Sequence, residues 1–265
     1  FLVVEQRVDE PMIPLRLFRN KVVLYCILLG MCAGVATYGA GQFLPLYFQD
    51  SLFWSPTVSG LAMAPQMAGV SLATFGIGRL IARTGRYKAY PIAGTLVGTA
   101  GLLAVAQIDG TTTYIWLLLP MMAMGFGAAS VFTTTSIASQ NAVEFADLGV
   151  TTSTVMFFRS LGGSFGLAAF GTILNSTIRS EIPKRVDVAA AEAASLIRAP
   201  GEIKLLDPAS RQAVVDSVAL GVSRIYWVCG GVMALGILFA LLLPELPLRL
   251  RAGLSEAMEQ SAPAH

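Results

Sequence analysis

Six apolar runs dominate the chain, and each is long enough to cross a bilayer, which takes about 20 apolar residues in a helix. They lie roughly at Val22–Phe48, Thr57–Ala82, Ala89–Ala106, Tyr114–Ser139, Val150–Ser176 and Ile225–Leu243, and are called spans a to f. Hydrocarbon offers no water to bond peptide groups, so such a run must satisfy its own backbone, and a helix does so locally. The expected class is therefore all-α and integral to the membrane. Composition agrees: 13% of residues are charged, against about 25% in soluble domains.

A short basic turn orients the spans. Between b and c, the stretch Gly78 to Lys88 carries Arg79, Arg83, Arg86 and Lys88. Such a turn resists translocation and marks the cytoplasmic face. Alternation then places both ends of the chain inside. Arg7, Arg16, Arg19 and Lys21 before span a, and Arg249 and Arg251 after span f, fall on the same side, while the short external loops carry no cation. The turn Gln140 to Gly149 also falls inside, although it carries Glu144 and Asp147 and no cation.

Several function classes are disfavoured. A net charge of +2, with no basic patch interleaved with aromatics, gives no reason to expect a nucleic-acid partner. His265 is the only histidine and lies at the C-terminus, so a histidine-based catalytic centre has no place in the body of the chain. Cys26, Cys32 and Cys229 fall inside apolar runs without metal-ligand spacing. No enzyme, cofactor or metal site is expected.

The segments divide as follows. Residues 1–21 read as a cytoplasmic linker after the tail of a helix cut off upstream, since Phe1 to Val4 are apolar and no initiator Met precedes them. Residues 22–176 hold spans a to e, and residues 177–222 form a long external loop with amphipathic helices. There Asp207-Pro208 reads as a helix start, and Val214, Val215, Val218 and Val222 form its apolar stripe. Residues 223–244 hold span f, and 245–265 form a cytoplasmic tail.

Polar and flexible residues are unevenly spread. In span a, Gly34, Tyr38, Gly41, Gln42, Pro45 and Gln49 recur at helical spacing on one face. That face either packs tightly on a neighbour or looks into a water-filled cavity. Span b carries Pro65 and the stripe Met63, Gln66, Met67 and Val70. Such a stripe is usually packing, yet thioethers also suit a surface that accepts several ligands. Span d has Pro120, the cluster Met121, Met122 and Met124, and the hydroxyl run Thr133 to Ser136 that includes Thr134. Span e holds Arg159, eleven residues past Leu148 and so about 16 Å along the helix. A guanidinium at that depth costs at least a few kcal/mol unless paired or hydrated. It either snorkels as a structural cap or stands on a transport path. Spans c and f are bland.

Polar features in helices one, two, four and five of six match a transporter half built from two three-helix repeats. The substrate-cavity candidates are Tyr38, Gln42, Met63, Gln66, Met67, Met124 and Thr134. A channel filter or a ring of like charge is missing, as is the interfacial cluster of His, Asp or Glu that a membrane enzyme would want.

The stretch Gly78-x-x-x-Ala82-Arg83-x-Gly85-Arg86-Tyr87-Lys88 resembles the second-half signature loop of the major facilitator superfamily. That loop normally has Asp before the Arg, where this chain has Ala82, which removes an acid that would pair with a neighbouring helix. Further stretches resemble the fourteen-span drug:proton antiporter branch. They are Pro11-Met12-Ile13-Pro14-Leu15-Arg16-Leu17-Phe18-Arg19-Asn20, Leu44-Pro45-Leu46-Tyr47-Phe48-Gln49, Ser55-Pro56, Gln140-Asn141-Ala142-Val143 and Phe157-Phe158-Arg159-Ser160-Leu161-Gly162-Gly163. The resemblance implies that spans a to f are the last six of fourteen, preceded by an N-terminal half with two linking helices. It implies alternating access in the plasma membrane, with proton influx driving export of small amphipathic, often cationic, compounds. Arg159, Arg83, Arg86 and Gly85 become candidates for coupling and gating. All sixteen acids lie in loops, tails or span ends, so a proton-carrying carboxylate is expected in the absent half. The alternatives are an exporter or importer of one metabolite, or a non-transporting scaffold or sensor on the same helices.

Overall fold

The computed structural model describes residues 16–184 and 208–248, and among these every regular element is a helix. Eight α-helices run in order: α1 (Arg16–Arg19), α2 (Lys21–Asp50), α3 (Pro56–Leu61), α4 (Ala64–Thr84), α5 (Ala89–Val105), α6 (Tyr114–Asn141), α7 (Leu148–Glu181) and α8 (Pro208–Leu242). Counting α3 with α4, five of the resulting stretches are long and apolar enough to cross a membrane; α5, with 17 residues, is shorter. At 1.5 Å per residue it is about 26 Å long, near the lower limit for a span. The expected linker residues 1–15, the middle of the long loop and the tail beyond Leu248 lie outside the described residues.

Local chemistry sets the boundaries. Asn20 caps α2 by accepting from the Val22 amide at 3.0 Å. Ser55 caps α3 ahead of Pro56 at its first position, where the missing N–H costs nothing. Gly85 ends α4 in the left-handed conformation (φ 69°, ψ 11°), with its N–H on the Ile81 carbonyl, a geometry that favours glycine. Two boundaries differ from the sequence reading. Asp50, which lies in the loop between spans a and b as read from the sequence, is the last residue of α2 and fully buried. The valine stripe at 214–222 continues without a break into span f as one helix, α8.

The long helices form two interleaved repeats, α2–α4–α5 and α6–α7–α8. The first helix of each packs on the second and third helices of the other. Side chains repeat the pattern. A Cβ on Gly34 of α2 would strike the Arg159 carbonyl of α7, and one on Gly125 of α6 would strike the Gln66 carbonyl of α4. Reciprocally, Gly162 of α7 sits on Met31 of α2, and Gly69 of α4 sits on Met122 of α6. Gly236 of α8 lies against Leu29 and Cys32, just as Gly101 of α5 lies against Pro120 and Ala123. Matched residues are separated by one constant interval within each helix pair. The N-terminal end of α2 meets the C-terminal end of α6, where Asn20 Nδ2 donates to the Ala142 carbonyl at 2.8 Å. The two repeats therefore run in opposite directions, as in inverted-repeat transporter folds.

Candidate functional site

The mid-bundle crossings carry the polar residues. Gln66 and Arg159 are repeat mates: each offers its carbonyl to a glycine of a first helix. Their side chains part company. Gln66 is only 5% exposed, and among the described residues its Oε1 has no hydrogen-bond partner. It lines an internal void of about 10 Å³ with Ala36, Thr37, Gly98, Leu102, Met124, Ala128 and Met233. That is about the least space one water needs.

Arg159 instead reaches over the Phe132 ring of α6, with its guanidinium carbon 4.4 Å from the centroid. A cation over a ring face gains about 0.5–2 kcal/mol, more as water is excluded. One turn further along α7, Gly163 leaves room for the Tyr38 ring of α2. Tyr38, Phe132 and Arg159 thus form one cluster where α2, α6 and α7 meet. Phe132 escaped the sequence reading because one aromatic among several in an apolar span carries no signal of its own.

The other cavity candidates separate. Tyr38 (41% exposed) and Met67 (55%) lie on the surface, as does Gln42. Met124 is buried beside Gln66. Thr134 is fully buried, with its Oγ1 unpartnered among the described residues. Met63 stands at the α3–α4 junction, packed on the main core. The proposed face of α2 therefore divides: Gly34 packs at a crossing, while Tyr38, Gly41 and Gln42 are uncovered among the described residues.

At the basic-turn end, Arg83 and Arg86 are exposed on either side of Gly85. Tyr87 between them and α5 is fully buried. Its hydroxyl donates to the Pro244 carbonyl at 2.8 Å and accepts from the Leu246 amide at 2.9 Å. Asn141 Nδ2 donates to the Pro247 carbonyl at 3.1 Å. The segment after α8 thus straps the ends of α4 and α6 together. Arg16 pairs with Asp147 at 2.7 Å beside it. At the opposite end, the Tyr47 hydroxyl donates to the Asp109 carbonyl at 2.8 Å. The Asp109 carboxylate accepts from the Thr111 amide and from both the Thr111 and Thr112 hydroxyls. Led by the Thr111 amide, those bonds hold it below the ordinary carboxylate range.

This bundle of opposed three-helix repeats defines a multi-pass helical membrane protein. The model described as the Major Facilitator Superfamily matches residues 4–167, more than half of the chain, and the chain belongs to that superfamily. It is 32% identical over 248 residues to "Uncharacterized MFS-type transporter Rv1877" of Mycobacterium tuberculosis, covering 94% of this chain and 36% of that protein. It is 31% identical over 176 residues to "Multidrug transporter protein MdtP" of Bacillus subtilis, covering 66% of this chain and 32% of that protein. It is 32% identical over 176 residues to "Tetracycline resistance determinant" of Streptomyces rimosus, covering 66% of this chain and 50% of that protein. The chain spans about a third to a half of the length of these relatives.

Proposed function

We propose that this chain is the C-terminal six-helix half of a fourteen-span secondary transporter that exports small amphipathic, often cationic, compounds from the cell. Its work is alternating access across the plasma membrane, driven by protons, with both ends of the half in the cytoplasm. The observation that carries this reading is the inverted three-helix repeat with polar residues at its crossings, in a chain whose relatives include one named for multidrug transport and one for tetracycline resistance. In this reading Tyr38, Gln42 and Met67 face the N-terminal half across the substrate path. Gln66, Met124, Met63 and Thr134 support that path from within. Arg159 acts in coupling. A guanidinium keeps its charge at physiological pH, so it carries no proton itself but holds a facing carboxylate of the other half ionised.

The test is uptake of a fluorescent cation into inverted vesicles that contain the full-length protein. Uptake should start when an inward-acid proton gradient is imposed and stop when a protonophore collapses it. Uptake indifferent to the gradient would remove the proton from the mechanism. The same assay with one metabolite tests the narrower reading, favoured by the relative named "Aspyridones efflux protein".

A further inference from the structure

Asp50 ends α2 at the end of the bundle opposite the basic turn. It is 0% exposed, and among the described residues neither carboxylate oxygen has a hydrogen-bond partner. An ionised carboxylate cannot stay in such a place without a cation or several donors. The charged groups of the surrounding elements are occupied elsewhere or make no bond to it. Tyr47, one turn back, donates to Asp109, and the Asp109 carboxylate is held by Thr111 and Thr112. On α7, Glu181 pairs with Lys184, and Arg179 is exposed at the last turn. On α8, Arg224 donates to Thr177 and approaches Glu181, while Asp216 accepts from Gln212. Arg211 of α8 donates to neither Asp50 oxygen.

The repeat supplies a second, independent argument. The interval that matches Met31 with Met122 and Gly34 with Gly125 matches Asp50 with Asn141, and both residues are the last of their helices. Asn141 acts there as a donor, to the Pro247 carbonyl. The interval that matches Gly101 with Gly236 makes mates of the segments after α5 and α8 and of Asp109 and Pro244, which each accept a hydroxyl from a tyrosine of a different, unmatched element. By that interval, Pro247 matches Thr112. An aspartate in the place of a donating amide has the same shape and can donate only when it holds a proton.

We propose that Asp50 is a proton-binding site of the bundle, carried as the neutral acid where its repeat mate Asn141 is a neutral amide. Losing the proton leaves a buried anion with no hydrogen-bond partner among the described residues and destabilises the packed end of α2. This inference does not depend on the transport reading, and its test needs no transport.

The full chain in detergent is unfolded by heat from about pH 5 to about pH 9, as the parent, Asp50→Asn and Asp50→Ala. A group that holds its proton more tightly folded than unfolded lends stability at low pH. It withdraws that stability as pH rises above the ordinary aspartate value of about 3.9 toward its folded one. The parent midpoint should therefore fall with rising pH through that window. Asp50→Asn should match or exceed the parent and lose that part of the slope; Asp50→Ala should lose the slope while starting lower. Infrared spectra of the parent at neutral pH should show a buried carboxylic-acid carbonyl band that both variants lack. A parent without that band, or an Asn variant that keeps the parent's slope, overturns the proposal. If the Asn variant does not fold, the parent's band decides.

Discussion

Arg159 and Gln66 occupy matched places and meet different fates, because the helix facing each differs. Opposite Arg159, α6 presents the Phe132 ring. Opposite Gln66, the side chain closes inward on Met124 and the void. The sequence reading grouped Gln66 with Met67 on one stripe. Adjacent positions on a helix point about 100° apart, and α6 covers only the first of them. Arg159 carries the prediction at this scale. Arg159→Lys keeps the charge without the planar fork, and Arg159→Ala removes both. With an electrostatic role, Lys keeps a substantial part of transport by the full-length protein. Ala loses about ten-fold or more, equivalent to about 1.4 kcal/mol, and its pH optimum moves. Parent-like transport by both folded variants at every pH would reduce Arg159 to a structural residue.

The informative element is the turn between α4 and α5. Gly85 sets its path, Tyr87 anchors it to the strap, and Arg83 and Arg86 stand outside. Cations at a helix C-terminus gain about 0.3–1 kcal/mol from the end carbonyls when exposed. That is too little to hold the fold and, in the proposed function, enough to bias two conformations of a gate. The double variant Arg83→Ala, Arg86→Ala should therefore express and bind ligand nearly as the parent does while transport falls. Equal loss of binding, measured by equilibrium titration with the fluorescent cation, would point to misfolding. The α4–α5 turn was legible because its cations form a motif. The strap was not, because Pro244 and Leu246 act through backbone groups that every residue has.

For the whole molecule, the arrangement of ends is the quantity to measure. Single cysteines at Asp109 and Ala199 should react from outside intact cells with an impermeant reagent, and one at Thr84 should not. Labelling at Thr84 would invert the proposed orientation and exchange the sides of every loop. In the structure Asp109 and the α4–α5 turn lie at opposite ends of the bundle. The experiment therefore tests which end is outside.

The sequence by itself determined the all-helical membrane class and the place of the apolar helices, although α5 is shorter than the other five. These follow from hydropathy and local charge, which act over a single helix length. The repeat was also written there, in Met63-x-x-Gln66-x-x-Gly69-x-Ser71 and Met156-x-x-Arg159-x-x-Gly162-x-Ser164. It became legible only when the crossings showed that both glycines serve the same contact. Tertiary structure alone decided which polar groups are covered. Asp50 reads as a loop acid because acids near Ser and Pro are ordinarily solvated. It is buried because α2 continues to that residue inside the packed end of the bundle. Burial depends on neighbours distant in sequence, and so do the partners that a buried group must find.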